Sequence, residues 1–295
     1  MMLKSNKAQG ILFIILAGFF FSMMTFLVRI AGDLPTMQKV FFRNAVAAVV
    51  SFVMLSQTPE KFHIKKTSWP SLLMRATCGC LGMICNFYSI DKLGLADANI
   101  LNKLSPFFAI IFSVFVLKEI ASKVEWLCVA IAFVGAIFVV KPSFQMTSVY
   151  GLVGVLGGLG AGIAYTYVRK LGKMGERGPV IVMFFSFYTT IFTLPFFILN
   201  FKPMSAKQWV IMMMAGVMAT GGQLSITKAY TKAPAKEISV FDYTQIVFAA
   251  MLGMFFLSEI PDVYSIVGYI IIIGVAIFKW WYNLRTDAML IKSNG

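Results

Sequence analysis

The chain has 295 residues, of which 59% are hydrophobic and only 13% are charged, and its formal net charge is +14. A soluble domain of this length carries about 25% charged residues, so the composition excludes a soluble globular protein and predicts a polytopic protein of the lipid bilayer. The positive charge would also suit nucleic acid. No basic run is long enough to follow a phosphate backbone, however, so nucleic acid is not an expected partner.

Apolar runs separated by polar breaks predict ten transmembrane helices, each close to the roughly 20 residues that a bilayer requires. In chain order these segments span residues 10–30, 36–56, 71–90, 97–117, 124–141, 149–169, 178–200, 209–230, 237–257 and 263–283. The first follows a short basic N-terminus without a small-residue cleavage site, which predicts a retained helix and not a cleaved signal peptide.

Basic residues alternate between the two sides of these segments and predict the orientation of the chain. Loops on the side of the N-terminus hold most of the lysines and arginines, such as Lys61, Lys65, Lys66, Lys118, Lys123, Arg169, Lys170, Lys173 and Arg177. Loops on the other side hold little beyond Lys92, Lys141, Lys202 and Lys207. Because cytoplasmic loops carry the excess of positive charge, both termini are predicted to be cytoplasmic, in a multi-pass protein of the plasma (inner) membrane.

The two halves of the chain match at a constant offset of about 140 residues. Matches of charged residues and glycines weigh most, and they pair Gly18 with Gly158, Arg29 with Arg169, Gly82 with Gly222 and Glu119 with Glu259. Each half holds five segments, an odd number, so the halves should lie in opposite orientations. We therefore predict an all-α protein of two inverted five-helix repeats, residues 1–143 and 144–295, an architecture of secondary transporters.

Four sequence motifs resemble the drug/metabolite transporter superfamily, and in particular its ten-helix EamA-type carriers. They are "FFRNAVAAVV", "LSPFFAIIFSVFVLKE", "AIAFVGAIFVVKP" and "IVFAAMLGMFFLSE". The resemblance covers essentially the whole chain. It implies a carrier with a central cavity lined by the first, third, fourth, sixth, eighth and ninth segments, and a substrate among amino acids, nucleoside-type metabolites, vitamins, small cations or toxic compounds.

Polar faces of the fourth and ninth segments are the strongest candidates for a site. In the fourth, the helical spacing places on one face Asn99, Asn102, Lys103 and Pro106. At the same places in the ninth stand Ser239, Asp242, Tyr243 and Gln245. Lipid exposure of such residues would be costly, so both faces should point to the axis between the repeats. Pro106 has no N–H, so the Asn102 carbonyl loses its helical partner.

Lys103 and Asp242 allow several interpretations. Lys103 could reach the outer interface, pair with Asp91, or serve ligand binding or gating. Asp242 could have a structural role, as a member of a buried ion pair or as a helix cap. It could instead couple protons to transport or recognise a cationic group of a solute. A direct pair between the two is disfavoured, because continuous helices would separate them by about 13 Å along the membrane normal.

Further residues are predicted to line the cavity or to control its access. The expected lining residues are Asn86, Tyr88, Tyr165, Gln223 and Thr227. A stripe of small residues at spacing four in the sixth segment could serve tight packing or a gate, and consists of Gly154, Gly158 and Gly162. Glu119 and Glu259 end equivalent segments as caps or gate contacts.

Three polar residues nearer the helix ends are expected to have structural roles. Arg43 and Asn44 in the second segment suit packing and outer-side anchoring. Arg75 lies near the inner end of the third segment and should extend its side chain to the interface.

Cysteine and histidine usage argues against metal or cofactor chemistry. The four cysteines lie in apolar segments, and Cys78 and Cys80 point to different faces of a helix. The single histidine, His63, lies in a loop. We expect no metal, no cofactor and no catalytic residues.

The favoured function is secondary transport of a small metabolite, an amino acid or a similar amphipathic or zwitterionic solute, in the export direction and by alternating access. Coupling to a proton or a counter-solute stays open, and a monomer is expected with a dimer as the alternative. An importer of a vitamin, nucleoside-type metabolite or organic cation is the second candidate. Among other classes of protein, the first alternative is an intramembrane enzyme, which is disfavoured because no catalytic set of residues is recognisable. The second is a channel or a non-transporting scaffold.

Overall fold

The computed structural model describes residues 6–93, 95–140, 149–258 and 261–293. All regular secondary structure in these ranges is helical. The α-helices are α1 (Asn6–Ile30), α2 (Thr36–Ser56), α3 (Trp69–Leu93), α4 (Leu95–Asn102), α5 (Ser105–Leu117), α6 (Lys123–Val140), α7 (Val149–Lys173), α8 (Gly178–Leu199), α9 (Ala206–Lys232), α10 (Ala235–Ile238), α11 (Thr244–Leu257) and α12 (Val263–Ser293). Short 3-10 helices cover Lys66–Ser68 and Ser239–Tyr243.

Eight stretches of the described chain are long and apolar enough to cross a membrane. They are Asn6–Ile30, Thr36–Ser56, Asn99–Leu117, Val149–Lys173, Gly178–Leu199, Ala206–Lys232, Ala235–Leu257 and Val263–Thr286. The chain is thus an all-helical, polytopic membrane protein. The eight stretches do not include α3 and α6, which are helices of 25 and 18 residues. The predicted total of ten crossings needs both of these helices to span the membrane and stays a prediction.

Two of the segments expected to be continuous are broken. α4 ends at Asn102, Lys103 and Leu104 form a turn, and α5 begins at Ser105. In the second half, the 3-10 helix Ser239–Tyr243 separates α10 from α11. The predicted segments 97–117 and 237–257 agree with the spans Asn99–Leu117 and Ala235–Leu257, but neither is one uninterrupted helix.

Local chemistry explains the break before α5. Pro106 lies in the first turn of α5, where a residue needs no intrahelical N–H donor and where the fixed φ of proline is favourable. Because Pro106 has no N–H to donate to the Asn102 carbonyl, α4 stops at Asn102 and a new helix starts at Ser105.

The second break has no proline. Instead, the hydroxyl of Thr244 donates to the backbone carbonyl of Phe241 at 2.7 Å. Such a side-chain bond offers the backbone an alternative to the regular helical ladder. The tighter 3-10 geometry then persists as far as Tyr243 before α11 begins.

Glycines bring α7 and α3 into close contact near the centre of the bundle. A Cβ atom on Gly160 would lie 2.7 Å from the carbonyl oxygen of Cys78 and 2.7 Å from the Cα of Gly82. Both neighbours are backbone atoms, so neither can move aside without a shift of the α3 backbone. The other principal helix contacts join α1 to α9 and α11, α2 to α8 and α9, α5 to α7, and α6 to α12.

Side-chain bonds connect the loops at each end of the bundle. At the end where α1 joins α2, called here the α1–α2 end, the Lys202 ammonium donates to the Asp33 carboxylate at 3.0 Å, and Gln38 donates to the Lys202 carbonyl at 2.9 Å. At the opposite, N-terminal end, Arg177 donates to the carbonyl of Lys61 at 2.7 Å and Lys65 donates to that of Gly175 at 2.9 Å.

We expect Gly160→Ala to destabilise the protein by about 1–3 kcal/mol, because the added methyl group overpacks the α3–α7 contact. The matched control is Gly274→Ala in α12, where a Cβ would meet nothing within 4 Å; alanine there should be neutral or stabilising by about 0.5–1 kcal/mol. Thermal unfolding in detergent measures both. Equal behaviour of the two variants would contradict the assigned α3–α7 packing.

Candidate functional site

A buried charged cluster lies where the two broken helices meet. Lys103, in the turn between α4 and α5, donates to the carboxylate of Asp242 at 2.8 Å, to the side-chain oxygen of Gln245 at 2.7 Å and to the backbone oxygen of Asp242 at 3.2 Å. An ammonium group has no acceptor and needs a partner for each of its donors, and these oxygens provide them. The side chains of Lys103 and Asp242 are only 13% and 11% exposed.

The direct pair corrects the expectation drawn from continuous helices. Lys103 does not extend to the outer interface, because its ammonium points at Asp242. The estimated separation assumed an unbroken 1.5 Å rise along both helices, and the breaks remove that assumption. The alternative partner, Asp91, has a side chain that lies outside the described residues.

Two further hydrogen bonds connect this cluster to neighbouring residues. The Tyr243 hydroxyl donates to the backbone carbonyl of Lys103 at 2.9 Å. The Ser22 hydroxyl, on α1, donates to the backbone carbonyl of Gln245 at 2.7 Å. A break in a membrane helix leaves backbone groups that must be satisfied by protein, water or ligand, and here each half of the protein supplies a partner to the other.

A pair of stacked tyrosines lies beside the cluster. The rings of Tyr165 on α7 and Tyr230 on α9 have centroids 4.8 Å apart and are inclined by only 9°. The Tyr230 hydroxyl lies 3.5 Å from that of Ser239.

Arg75 is buried in the centre of the bundle, which corrects the expectation that it reaches the interface. Only 2% of the residue is exposed. Its guanidinium donates to the Gln223 side chain at 3.2 Å and lies 3.9 Å from the ring centroid of Phe185. Local sequence does not predict this position, because the direction of the Arg75 face of α3 is decided by the packing of α3 against α7 and α8.

Arg43 also points inward, so the expected role in outer-side anchoring is wrong. Its guanidinium lies 5.7 Å from the ring centroid of Phe21 and 4.0 Å from the Met83 sulfur. Asn44 donates to the Val40 carbonyl at 2.9 Å and approaches the same sulfur at 3.7 Å, which agrees with its expected packing role.

The remaining predicted lining residues are divided between the centre and one end. Asn86 and Thr227 have buried side-chain oxygens for which the described residues offer no hydrogen-bond partner. Asn99 and Asn102 are half-buried, again with no side-chain partner in the described chain. Tyr88 is 43% exposed and lines a cavity of about 850 Å³ at the α1–α2 end, together with Thr36, Cys85 and Val153.

The glycine stripe of α7 faces the break between α4 and α5. A Cβ on Gly158 would lie 2.7 Å from the Leu101 carbonyl oxygen, and one on Gly162 would lie 2.9 Å from the Ala109 nitrogen. A Cβ on Gly154 would meet the Leu101 side chain at 2.5 Å. These contacts agree with tight packing, and a gating role for the stripe stays a prediction.

Glu119 joins three helices at the N-terminal end. Its carboxylate accepts from Arg169 at 3.2 Å and from Lys173 at 2.6 Å, both on α7. Arg169 in turn donates to the carbonyl of Thr231 on α9 at 3.1 Å. The equivalent acid, Glu259, lies outside the described residues.

The described part of the chain holds no group of three or more His, Cys, Asp or Glu side chains that could bind a metal ion. What the central residues provide is a small set of hydrogen-bonding and charged groups enclosed by apolar helices. A polar cluster of this kind, deep in a membrane protein, suits recognition of a polar solute.

The fold and site define a membrane transporter class, and comparison with known proteins identifies the family. The profile of the EamA-like transporter family matches residues 8–141 and 149–280. The chain belongs to this family, within the drug/metabolite transporter superfamily, which confirms the resemblance drawn from the sequence motifs.

Curated relatives carry transporter names. The chain is 35% identical over 273 residues to the pseudopaline exporter CntI of Pseudomonas aeruginosa, covering 91% of this chain and 95% of that protein. It is 24% identical over 295 residues to human solute carrier family 35 member G1, covering 94% and 81%. Among the solved structures that match the fold, one crystal structure has a TM-score of 0.80 at 15% identity, over 91% of this chain and 95% of that chain.

Single substitutions in the buried pair should be strongly destabilising, because each leaves an uncompensated charge or polar group. We expect Lys103→Ala to cost about 3 kcal/mol or more. The double variant Lys103→Ala/Asp242→Asn should lose less than the sum of the two single losses, by about 1–3 kcal/mol. Unfolding in detergent measures this cycle.

The matched control is the pair of Lys202 and Asp33, which has a similar distance of 3.0 Å but side chains 51% and 99% exposed. Its coupling should be at most about 1 kcal/mol. Equal coupling in the two cycles would contradict the burial assigned to Lys103 and Asp242.

Proposed function

We propose that this protein is a secondary transporter that exports a small amphipathic or zwitterionic metabolite, an amino acid or a related compound, across the plasma membrane by alternating access. The family supports transport in general. The relative CntI is named as an exporter of pseudopaline and is 35% identical over nearly the full length of both chains, which supports the export direction and makes pseudopaline or a related compound the first candidate to test.

The observation that carries the proposal is the charged cluster at the facing breaks of two discontinuous helices. Transporters place binding sites where helices are interrupted, because a break supplies helix ends and free backbone groups near the middle of the membrane. Lys103 and Asp242 occupy such a place, and ionisable groups buried at this depth are costly unless they serve a function.

Correspondences between the two halves support an inverted repeat. The family profile matches the chain twice, on either side of residues 142–148. The non-glycine residues Lys118 and Ser258, which are 140 positions apart, end α5 and α11 with left-handed φ values of 57° and 56°. These features accord with a division of the chain at about residue 143. Two halves related in this way could exchange conformations, and the exchange would open the protein to the opposite side of the membrane.

The arrangement of the two ends fits one state of such a cycle. The cavity beside Tyr88 opens at the α1–α2 end, while the Glu119 contacts with Arg169 and Lys173 hold helices together at the N-terminal end. The excess of lysine and arginine in the loops of the N-terminal end supports a cytoplasmic position for that end. The protein would then be open to the outside and closed to the cytoplasm.

The charged cluster suggests how a solute could be recognised. A cationic group of the solute can replace the Lys103 ammonium at Asp242, and Lys103 is then free to bind an anionic group. Exchange of one set of charge-assisted bonds for another keeps the buried charges paired throughout. Because the pair joins the two breaks, its exchange would alter the contact between the two halves, so the solute has different affinities for the two states.

Transport by the purified protein is the direct test. Solutes that raise the unfolding temperature, chosen from amino acids, nucleosides, vitamins, organic cations and pseudopaline, are loaded into proteoliposomes and their efflux is followed. We expect saturable efflux in the wild type. In Lys103→Ala and Asp242→Asn, efflux should fall at least tenfold although both variants insert into membranes, whereas Lys202→Ala should retain it.

Wild-type flux in both central variants would refute the site. Absence of flux for every stabilising solute would refute the carrier, and flux far above carrier rates without saturation would favour a channel. Chemical conversion of a solute that depends on Asp242 would favour an enzyme.

The closed N-terminal end gives a second prediction. Glu119→Gln weakens the contacts with Arg169 and Lys173, so it should shift the population away from the state that is open at the α1–α2 end. The measurement uses a background in which the other three cysteines are replaced, so that Cys85 is the only thiol. Labelling of this thiol by an impermeant maleimide should become slower by a few-fold in Glu119→Gln. Glu60→Gln, which alters an exposed pair with Arg177, is the control. Unchanged labelling in Glu119→Gln would exclude a gate at this position.

A further inference from the structure

Two arginines in the middle of the bundle have no anionic partner. In the described residues, no carboxylate lies within ion-pair distance of Arg43 or Arg75, although two lysines that also point inward, Lys103 and Lys279, are each paired with an acid. The Nε atoms of both arginines are buried and have no hydrogen-bond partner in the described chain. Arg43 contacts Met83, and the Arg75 guanidinium packs beside Gly79, one turn away on α3, so both guanidinium groups lie along the same face of α3.

This arrangement is unfavourable for the empty protein. A guanidinium has several N–H donors and stays charged at all physiological pH values. Here the described contacts give Arg75 one oxygen acceptor, on Gln223, and give Arg43 only the weak acceptor sulfur of Met83. The aromatic rings of Phe185 and Phe21 offset part of the cost through cation–π contacts. An anion would satisfy the donors and remove the repulsion.

Contacts of α9 relate the arginines to Asp242. Gln223, which accepts from Arg75, and Tyr230, whose hydroxyl lies 3.5 Å from that of Ser239 in the 3-10 helix that carries Asp242, are both on α9. They are separated by about two helical turns, or roughly 10 Å, so the arginine and the acid lie at different levels of the bundle. Asn86 and Thr227, with their partnerless buried oxygens, could accept bonds from neutral donors of the same solute. A molecule that carries both signs of charge fits this order.

We propose that Arg43 and Arg75 form a carboxylate subsite of the transport pathway, in which their planar guanidinium groups hold the carboxylate of the solute while its cationic group is directed towards Asp242. This inference rests on the proposed transport function and narrows its substrate to solutes with at least one carboxylate. The planar fork of a guanidinium matches a carboxylate in two parallel hydrogen bonds, which a lysine cannot reproduce.

Binding to the purified protein tests the subsite with simple probes. Benzoate and L-phenylalanine are compared with benzamide and L-phenylalanine amide at matched ionic strength, and the readout is the rise in unfolding temperature with concentration. We expect the two acids to stabilise the wild type more than their amides do. Arg43→Lys and Arg75→Lys, which keep the charge but lose the fork, should weaken this response by roughly tenfold, and Arg43→Gln and Arg75→Gln should abolish it.

The matched control is Arg285→Gln, which removes an exposed arginine that lies on the Trp281 ring near the C-terminus and should leave the response unchanged. In the absence of probe, the glutamine variants should unfold at the same temperature as the wild type or higher, because they remove mutual repulsion. A purely structural role of the arginines predicts a lower temperature instead.

The outcomes separate the subsite from the transport proposal. If the acids stabilise no more than their amides, if the arginine variants keep the response, or if inorganic phosphate binds where the carboxylates do not, the carboxylate subsite is refuted. If flux persists in Arg43→Gln and Arg75→Gln, the subsite fails and the carrier stands. If no solute is transported but the acid response depends on both arginines, the subsite stands and the carrier fails.

Discussion

The bond between Lys103 and Asp242 is the interaction on which the centre of this protein depends. Neither charge could lie among apolar helices alone, since the cost of removing an ion from water amounts to several kcal/mol. Each is close to the end of a short helix, and Gln245 and the Asp242 carbonyl complete the set of acceptors around the ammonium. The bond therefore joins the first half of the chain to the second at the place where both are irregular.

Several other features follow from the need to accommodate these irregular segments. The carbonyl exposed at the first break is satisfied by Tyr243, and α7 approaches the same break through glycines that leave room for the backbone of Leu101. Stacked tyrosines fill the neighbouring space. Beyond them lie Arg43 and Arg75, whose charges are not neutralised by the described residues, so the centre of the bundle combines one internally paired site with one that a ligand could complete.

The sequence predicted the helices and the family with good accuracy. α2 covers the expected residues 36–56, and α7 and α12 begin where expected at residues 149 and 263, because apolar composition and segment length follow directly from the thickness of a bilayer. The polar faces with Lys103 and Asp242 were also visible, since spacing alone defines a helix face. Motifs such as "LSPFFAIIFSVFVLKE" indicated the EamA-type family, and the family profile agrees.

Composition and spacing by themselves determined the class of protein, the approximate positions of the helical segments and the polar faces that carry Lys103 and Asp242. Tertiary structure decided which of those residues meet. The pairing of Lys103 with Asp242 required two helix breaks, and only the first of them is marked in the sequence by a proline, Pro106. The burial of Arg75 required the close contact of α3 with α7. Both depend on contacts between residues more than 70 positions apart, and the local periodicity of a sequence carries no information about such contacts.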